Sequence, residues 1–462
     1  MNTASFDTLP LAPATLETLQ QLGYSAMTPI QAAALPLALA GHDLIAQAQT
    51  GSGKTAAFAL PLLARLQAQR QDVQALVLCP TRELADQVAL ELRRLARGAD
   101  NVKVLVLCGG APIKPQADSL AHGAHVVVGT PGRLIDHLDR GSLLLETLQT
   151  LVLDEADRML DMGFMDDIAS IASRAPKSRQ TLMFSATYPA GIQQLAARFL
   201  RNPQTVTLTQ QPAASQIRQR FYEVTDMQRL HAVGLLLDHY RPVSTLAFCN
   251  TKQQCRDLVD VLQAQGISAL ALHGDLEQRD RDQVLVRFAN RSCSVLVATD
   301  VAARGLDIAE LEAVINVDIT PDIEVHTHRV GRTGRAGSAG WAFRLASLDE
   351  MGRVGRIEQM QGGASEFHPL AELTPSEPGL GPLQPPMVTI QILGGRKEKI
   401  RAGDVLGALT KDAGLAAAQV GKINVNNFST YVAVARAVAA KAEQALNARP
   451  VKGKKVKARA LV

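Results

Sequence analysis

Residues 44–66, LIAQAQTGSGKTAAFALPLLARL, decide the fold. The central residues, Ala48, Gln49, Thr50, Gly51, Ser52, Gly53, Lys54 and Thr55, read as a phosphate-binding loop. Gly51 and Gly53 let backbone N–H groups curl around phosphate oxygens, Lys54 reaches the β and γ phosphates, and Thr55 offers a hydroxyl to Mg²⁺. The general pattern opens on glycine, and here that place holds Ala48. Residues 44–46 can form a strand and residues 55–66 a helix, whose N-terminal dipole would hold the phosphate. The bland alternative is a glycine-rich turn with a chance lysine, and a second site argues against it. Residues 151–153 read as a buried parallel strand that delivers Asp154, Glu155, Ala156 and Asp157 at its C-terminal end. One carboxylate there can hold Mg²⁺ through water while its neighbour orients an attacking water. Alone, such a cluster is more often a solvated turn.

Working outward, apolar runs at 75–79, 102–107, 125–128, 151–153, 181–184 and 205–208 alternate with helical segments. Alternation of this kind predicts a parallel sheet with helices on both faces and function at the strand ends. There stand Pro80-Thr81-Arg82-Glu83-Leu84-Ala85, Gly109-Gly110, Thr130-Pro131-Gly132-Arg133 and Ser185-Ala186-Thr187. Each could be an ordinary turn; Arg, Thr and backbone N–H groups in such loops also suit phosphate contacts. The polar segment 209–216, TQQPAASQ, predicts a linker. A second alternating unit follows, with strands at 245–248, 268–272, 295–298, 313–317 and 341–345. Its strand ends carry Asn250-Thr251, His273-Gly274-Asp275, Gln278 with Arg281, Thr299-Asp300, Ala303-Arg304-Gly305-Leu306-Asp307 and the run from His328 to Arg335.

The order DEAD behind AQTGSGKT, with these loops between and after them, resembles the DEAD-box ATP-dependent RNA helicases over residues 1 to about 360. The resemblance implies an α/β fold of two RecA-like doubly wound parallel-sheet lobes, at 1–208 and 217–364. It makes Phe6 and the segment from Gly23 to Gln31 the Q motif. A glutamine amide can pair with the N6 and N7 edge of adenine and an aromatic ring can stack on it, so ATP is the expected nucleotide. Phe6, Gln31, residues 48–55, Gly305 and Asp307 then bind nucleotide. Lys54, Asp154, Glu155, Arg332 and Arg335 become catalytic, the two arginines as fingers for the charge that hydrolysis develops on the γ-phosphoryl oxygens. Thr55 and Asp154 would hold Mg²⁺, partly through water. Asp157, Ser185, Thr187 and His328 would couple nucleotide state to RNA. Pro80, Thr81, Arg82, Gly110, Thr130, Pro131, Arg133, Asn250, Thr251, Gly274, Arg281 and Thr299 would meet RNA.

Composition frames that reading. The chain has 462 residues, 47% of them hydrophobic, enough for two or three domains. Its five cysteines form no CxxC pair, so neither zinc nor a disulfide framework is indicated. With no leader pattern and no apolar run near the ~18 residues that span a bilayer, the expectation is a cytoplasmic, unprocessed monomer without membrane contact. The net charge of +4 hides an asymmetry: residues 387–462 carry +10 and residues 1–386 carry −6. The tail is the part that seeks a polyanion.

Residues 365–386 hold six prolines and read as a second linker. Beyond it, a strand at 388–393, a helix at 402–410, strands at 421–425 and 430–435, a helix at 438–448 and a strand at 455–460 give the βαββαβ order of a small RRM-like α+β domain over 387–462. The aromatic RNA-stacking pattern is missing from its third strand. Phe428 and Tyr431 lie near and can both be core. Binding is expected instead through basic loops, by Arg396, Lys397, Lys399, Arg401, Lys452, Lys454 and Lys455. The run GGRKEKIRAGDVLGALT at 394–410 resembles the bacterial DbpA subfamily, which implies 23S rRNA and pre-ribosomal large-subunit particles as partners. Gly334 stands where alanine is usual in that subfamily. Three other readings stay open: an ATP-gated RNA clamp or scaffold, a non-specific RNA helicase, and a DNA helicase of the same superfamily, which the Q motif and the basic tail disfavour.

Overall fold

Apolar side chains at successive positions of a strand must find cover on both faces of a sheet, and in this protein they do. The computed structural model describes residues 4–48, 51–99, 101–188, 190–208, 217–303, 311–334, 339–374 and 380–461. Strands β1 (Leu44–Gln47), β2 (Ala75–Leu78), β3 (Val104–Leu107), β4 (Val126–Gly129), β5 (Thr150–Leu153), β6 (Gln180–Ser185) and β7 (Gln204–Thr207) form one sheet in the order β3-β4-β2-β5-β6-β1-β7. All its pairings are parallel. Leu44, Ala46, Val77, Val152 and Phe184 enter the core on one face, while Ile45, Leu76, Leu78, Leu153 and Met183 enter a separate core on the other. The helix after β1 spans Lys54–Ala64, starting one residue earlier than expected.

A second parallel sheet repeats this winding. Strands β8 (Ile217–Glu223), β9 (Thr245–Cys249), β10 (Ala269–Leu272), β11 (Val295–Thr299), β12 (Ala313–Asn316), β13 (Gly340–Ala346) and β14 (Phe367–His368) stand in the order β10-β11-β9-β12-β13-β8-β14. Position for position this is the order of the first sheet. The sequence gives no warning of β8, IRQRFYE, because it lacks an apolar run. Register with β13 makes it a strand, and Tyr222 is fully buried there.

The expected linker at 365–386 needs correction over its described residues. Phe367–His368 adds β14 in parallel to β8, and Leu373 and Leu383 sink into the second sheet's core. Glu372 accepts hydrogen bonds from the Tyr222 hydroxyl at 2.9 Å and from Arg220 at 3.0 Å. Prolines mask these anchors because they break periodicity without preventing single side chains from docking.

Strands β15 (Met387–Ile392), β16 (Val420–Val425), β17 (Thr430–Ala435) and β18 (Ala458–Leu461) form an antiparallel sheet in the order β16-β17-β15-β18. Val388, Ile390 and Ile392 pack with Val405, Leu409 and Leu446 from the two helices. The first helix ends at Gly407 and widens into a π turn over Ala408–Asp412. On the opposite face Thr389 is fully buried: it accepts from Asn290 Nδ2 at 3.1 Å and shares a 2.6 Å hydroxyl bond with Ser292. The antiparallel sheet thus docks on the second parallel sheet's unit through the face that carries stacked bases in RNA-binding folds of this order. No helix among the described residues is long and apolar enough to cross a membrane.

Candidate nucleotide and RNA sites

Strand order gathers what the sequence scatters. The loops after β5, β6 and β1 are neighbours at one half of the first sheet's carboxyl edge, and those after β3, β4 and β2 occupy the other half.

At the first half, Gly51 and Gly53 adopt φ of +83° and +93°, which lets the loop curl before Lys54 begins its helix. A Cβ at Gly53 would lie 2.6 Å from Gln31 Nε2 and 2.9 Å from Thr28 Oγ1. Gln31 is buried, accepts from Thr28 N–H at 2.9 Å and donates to the Gly53 carbonyl at 3.1 Å. Its amide therefore braces the loop. Phe6 is buried too, edge-on to Tyr24 with ring centroids 6.1 Å apart. Ala48 N–H bonds to the Ser185 carbonyl at 3.0 Å, tying the loop's start to β6. Gln49, Thr50, Gly305, Asp307, Arg335 and the expected linker at 209–216 lie outside the described residues.

Lys54 is buried, and its Nζ has no hydrogen-bond partner among the described residues; the same holds for Ser52 Oγ. A buried, unsatisfied ammonium is costly unless an anion meets it, so the loop fits a phosphate. Opposite stands Asp154, buried, its carboxyl pushed up to about 7 by desolvation, an effect that Glu155 reinforces and Lys54 opposes. Such a carboxyl is poised to ionise against a cation. Among the described residues no three His, Cys, Asp or Glu side chains converge as a metal cage. A Mg²⁺ ion held by Asp154 and Thr55 would take its other ligands from water and phosphate, as that ion prefers.

Glu155 sits at φ 54°, ψ 51°, left-handed for a residue with a Cβ, at a strain of about 1–2 kcal/mol. A buried 2.8 Å ion pair with Arg158, three residues on, holds its carboxylate. Asp157 turns the other way: Oδ2 accepts from Ala186 N–H at 3.0 Å, Thr187 N–H at 2.9 Å and Thr187 Oγ1 at 3.1 Å. Ser185 Oγ donates to the Thr187 carbonyl at 2.6 Å. The acidic segment and the Ser-Ala-Thr corner are thus one hydrogen-bonded unit. Arg158 was not among the expected site residues; its spacing from Glu155 was the available signal.

At the other half, Thr81 and Thr130 precede helices Arg82–Leu95 and Pro131–Asp139. Their N-terminal N–H groups are ready anion sites. Arg82 packs on Gly110, where an added Cβ would overlap its guanidinium. Arg133 donates to the Ala111 carbonyl at 2.9 Å and to Gln116 Oε1 at 3.0 Å, joining the loops after β4 and β3.

The second sheet repeats this at the ends of β10, β11 and β9. Thr251 caps helix Lys252–Ala264, accepting from Gln254 N–H at 3.1 Å. Arg281 donates to the Ala302 carbonyl at 2.8 Å. The fully buried Arg329, not assigned from sequence, holds Asp300 through two 2.7 Å bonds and Asn250 Oδ1 at 3.1 Å. Arg332 is buried, and Gly334 has φ +68°, a conformation that favours glycine over alanine.

Three family descriptions match the chain: DEAD/DEAH box helicase over residues 28–195, helicase conserved C-terminal domain over 228–337, and DbpA RNA binding domain over 389–460. The ATP-dependent RNA helicase DbpA of Escherichia coli (strain K12) is 52% identical over 458 residues, covering 99% of both chains. The chain belongs to the DEAD-box ATP-dependent RNA helicases, of the DbpA type. As an ATP-dependent RNA helicase it hydrolyses ATP and binds RNA. The DEAD-box helicase CshA of Geobacillus kaustophilus (strain HTA426) is 44% identical over 329 residues, 71% of this chain and 70% of its own. Saccharomyces cerevisiae Dbp5 bound to RNA and ADP BeF3 superposes with a TM-score of 0.73 at 30% identity, covering 80% of this helicase and 96% of that chain.

Proposed function

We propose that this helicase opens short RNA duplexes locally in 23S rRNA during large-subunit assembly in the cytoplasm, acting as a monomer. The observation that supports this best is the basic C-terminal sheet: residues 387–462 carry +10, and the DbpA RNA binding domain matches 389–460 within them. Phosphate contacts from such a surface supply affinity, and loop geometry supplies selectivity.

In this reading Lys54 and the loop N–H groups bind the ATP phosphates, and Thr55 and Asp154 hold Mg²⁺. The ion would neutralise phosphate charge when bound. Glu155, fixed by Arg158, orients the attacking water and takes its proton. Arg332 and Arg335 meet the charge that develops, by their place in the motif. Asp157 reads nucleotide state into the corner at Ser185 and Thr187, and His328 belongs to the same coupling. Gln31 acts through the loop it braces as well as on adenine. The strand-end loops at Thr81, Arg82, Gly110, Thr130, Arg133, Asn250, Thr251, Gly274, Arg281 and Thr299 grip the RNA backbone.

Steady-state ATP hydrolysis, titrated with 23S rRNA and with an unrelated RNA of equal length at one salt concentration, tests the reading. Half-stimulation at a 23S rRNA concentration at least ten-fold lower, equivalent to at least about 1.4 kcal/mol of selective binding, is expected. Superimposable curves would leave a non-specific RNA helicase.

A further inference from the structure

An RNA-binding sheet of this strand order ordinarily offers its open face to bases, but here Thr389 on that face is tied to Asn290 and Ser292. Tyr431, on β17, is buried and accepts from Gln391 Nε2 at 3.1 Å. Phe428, which the sequence allows as core, is instead 65% exposed. It is the one exposed aromatic ring among the described residues of this domain. The ring projects from the turn at 426–429, closed by a 2.8 Å bond from Asn426 N–H to the Ser429 carbonyl.

A second loop clamps that turn. Arg396 N–H bonds to the Asn426 carbonyl at 2.9 Å and Lys397 N–H to the Asn427 carbonyl at 3.0 Å. Glu398 closes the second loop by accepting from Gly395 N–H at 2.7 Å. Gly395 permits the approach: a Cβ there would lie 2.8 Å from the Asn427 carbonyl carbon and oxygen. Lys397 Nζ stands 4.3 Å from the Phe428 ring centroid, covering one face of the ring. Lys452 Nζ reaches the Lys399 carbonyl at 2.8 Å and brings further positive charge to the same loop. The result is a pre-positioned aromatic ring with a cation on one face, solvent beside the other, and basic side chains around it.

We infer that Phe428 is a stacking platform for one unpaired RNA base, with Lys397 clamping the ring and contacting the adjoining phosphate. The inference rests on the reading of this domain as the RNA-selecting part and names the element within it that distinguishes a looped RNA from a paired one. A ring face accepts a base only where that base is not already stacked in a duplex. An exposed phenylalanine serving a protein partner would show no such preference.

The test uses the full chain without nucleotide, a fluorescein-labelled RNA hairpin with an unpaired loop, and a blunt RNA duplex of the same length, followed by anisotropy over a salt series. Phe428→Ala should weaken hairpin binding about 5- to 150-fold, the range for loss of one stacked base, with the salt slope and the duplex affinity unchanged. Phe428→Trp should restore hairpin affinity to within about two-fold, since any aromatic face stacks. Lys397→Ala should lower the salt slope by about one. Hairpin affinity of Phe428→Ala within two-fold of the parent, or an equal loss on the duplex, overturns the platform. A Lys452→Ala, Lys454→Ala, Lys455→Ala triple variant separates the two levels. If it too binds the hairpin unchanged, the basic-domain reading falls; if it weakens binding while Phe428→Ala does not, only the platform falls.

Discussion

The two parallel sheets share one winding, yet their corresponding strand ends have opposite fates. After its first strand the first sheet turns into a glycine-rich loop and Lys54; after its fifth it presents Asp154. In the second sheet the first strand leads to a helix carrying Arg229, and the fifth leads to Asp318. Arg229 is satisfied: it bonds to Glu350 at 2.7 Å, lies 3.5 Å from Asp318, and donates to the Val317 carbonyl at 2.7 Å. Lys54 Nζ is buried without such a partner among the described residues. A cation facing a carboxylate from two strand ends with one strand between them thus serves as a staple in one sheet and as an open site in the other. What separates them is whether protein groups already fill the cation's hydrogen-bonding capacity.

Paired substitutions would break that contrast most sharply. Arg229→Ala should destabilise the protein by about 3–5 kcal/mol in urea unfolding, because Asp318 would lose the cation 3.5 Å from it and Glu350 would keep only the more exposed Arg353, also at 3.5 Å. Lys54→Ala should leave the urea midpoint unchanged or higher while ATP turnover falls about 10²–10³-fold, the loss typical of one aligned donor to developing charge. Equal loss of stability in both variants would end the distinction.

Glu155→Gln sharpens it within the first sheet. Turnover should fall at least about 10²-fold while ATP and RNA binding persist, read by single-turnover hydrolysis and RNA anisotropy. A variant that still supported subunit assembly in cells would favour the clamp reading.

The sheets should also differ in sign with pH. Asp154 is raised from an ordinary carboxyl value to about 7, so its contribution to stability is full below about 4 and is lost as pH rises towards 7. His326 is lowered to about 3 by burial, with Arg344 and Arg329 adding to the shift, so its contribution is full above about 6.5 and is lost as pH falls towards 3. Urea midpoints of Asp154→Asn and His326→Gln across pH 4–8 should each flatten one limb of the parent's profile and leave the other.

The smallest effect tests the third sheet. Tyr431→Phe removes the Gln391 bond and should lower stability by about 1 kcal/mol without altering RNA affinity, the reverse of the pattern expected at Phe428.

Chemistry that depends on a short local order was legible in the sequence. The phosphate loop, the acidic segment and the alternation of apolar runs with helices each need only neighbouring residues, so composition and spacing expose them. The +10 tail is likewise a property of the chain. Other features needed partners far apart in sequence. The pairing of Phe367–His368 with β8, the burial of Leu373 and Leu383 in the second sheet's core, the bracing of Gly53 by Gln31 and the grip of Arg329 on Asp300 and Asn250 depend on contacts that a linear pattern does not encode. Tyr431 and Phe428, three residues apart and both aromatic, show the limit most plainly. One points inward from a strand and the other stands on a turn clamped by a distant loop. The sequence by itself determined which chemical groups this protein has and which fold they sit on. Tertiary structure alone decided which of them are already satisfied and which still face outward for a ligand, because burial and hydrogen-bond partnership belong to the packed molecule.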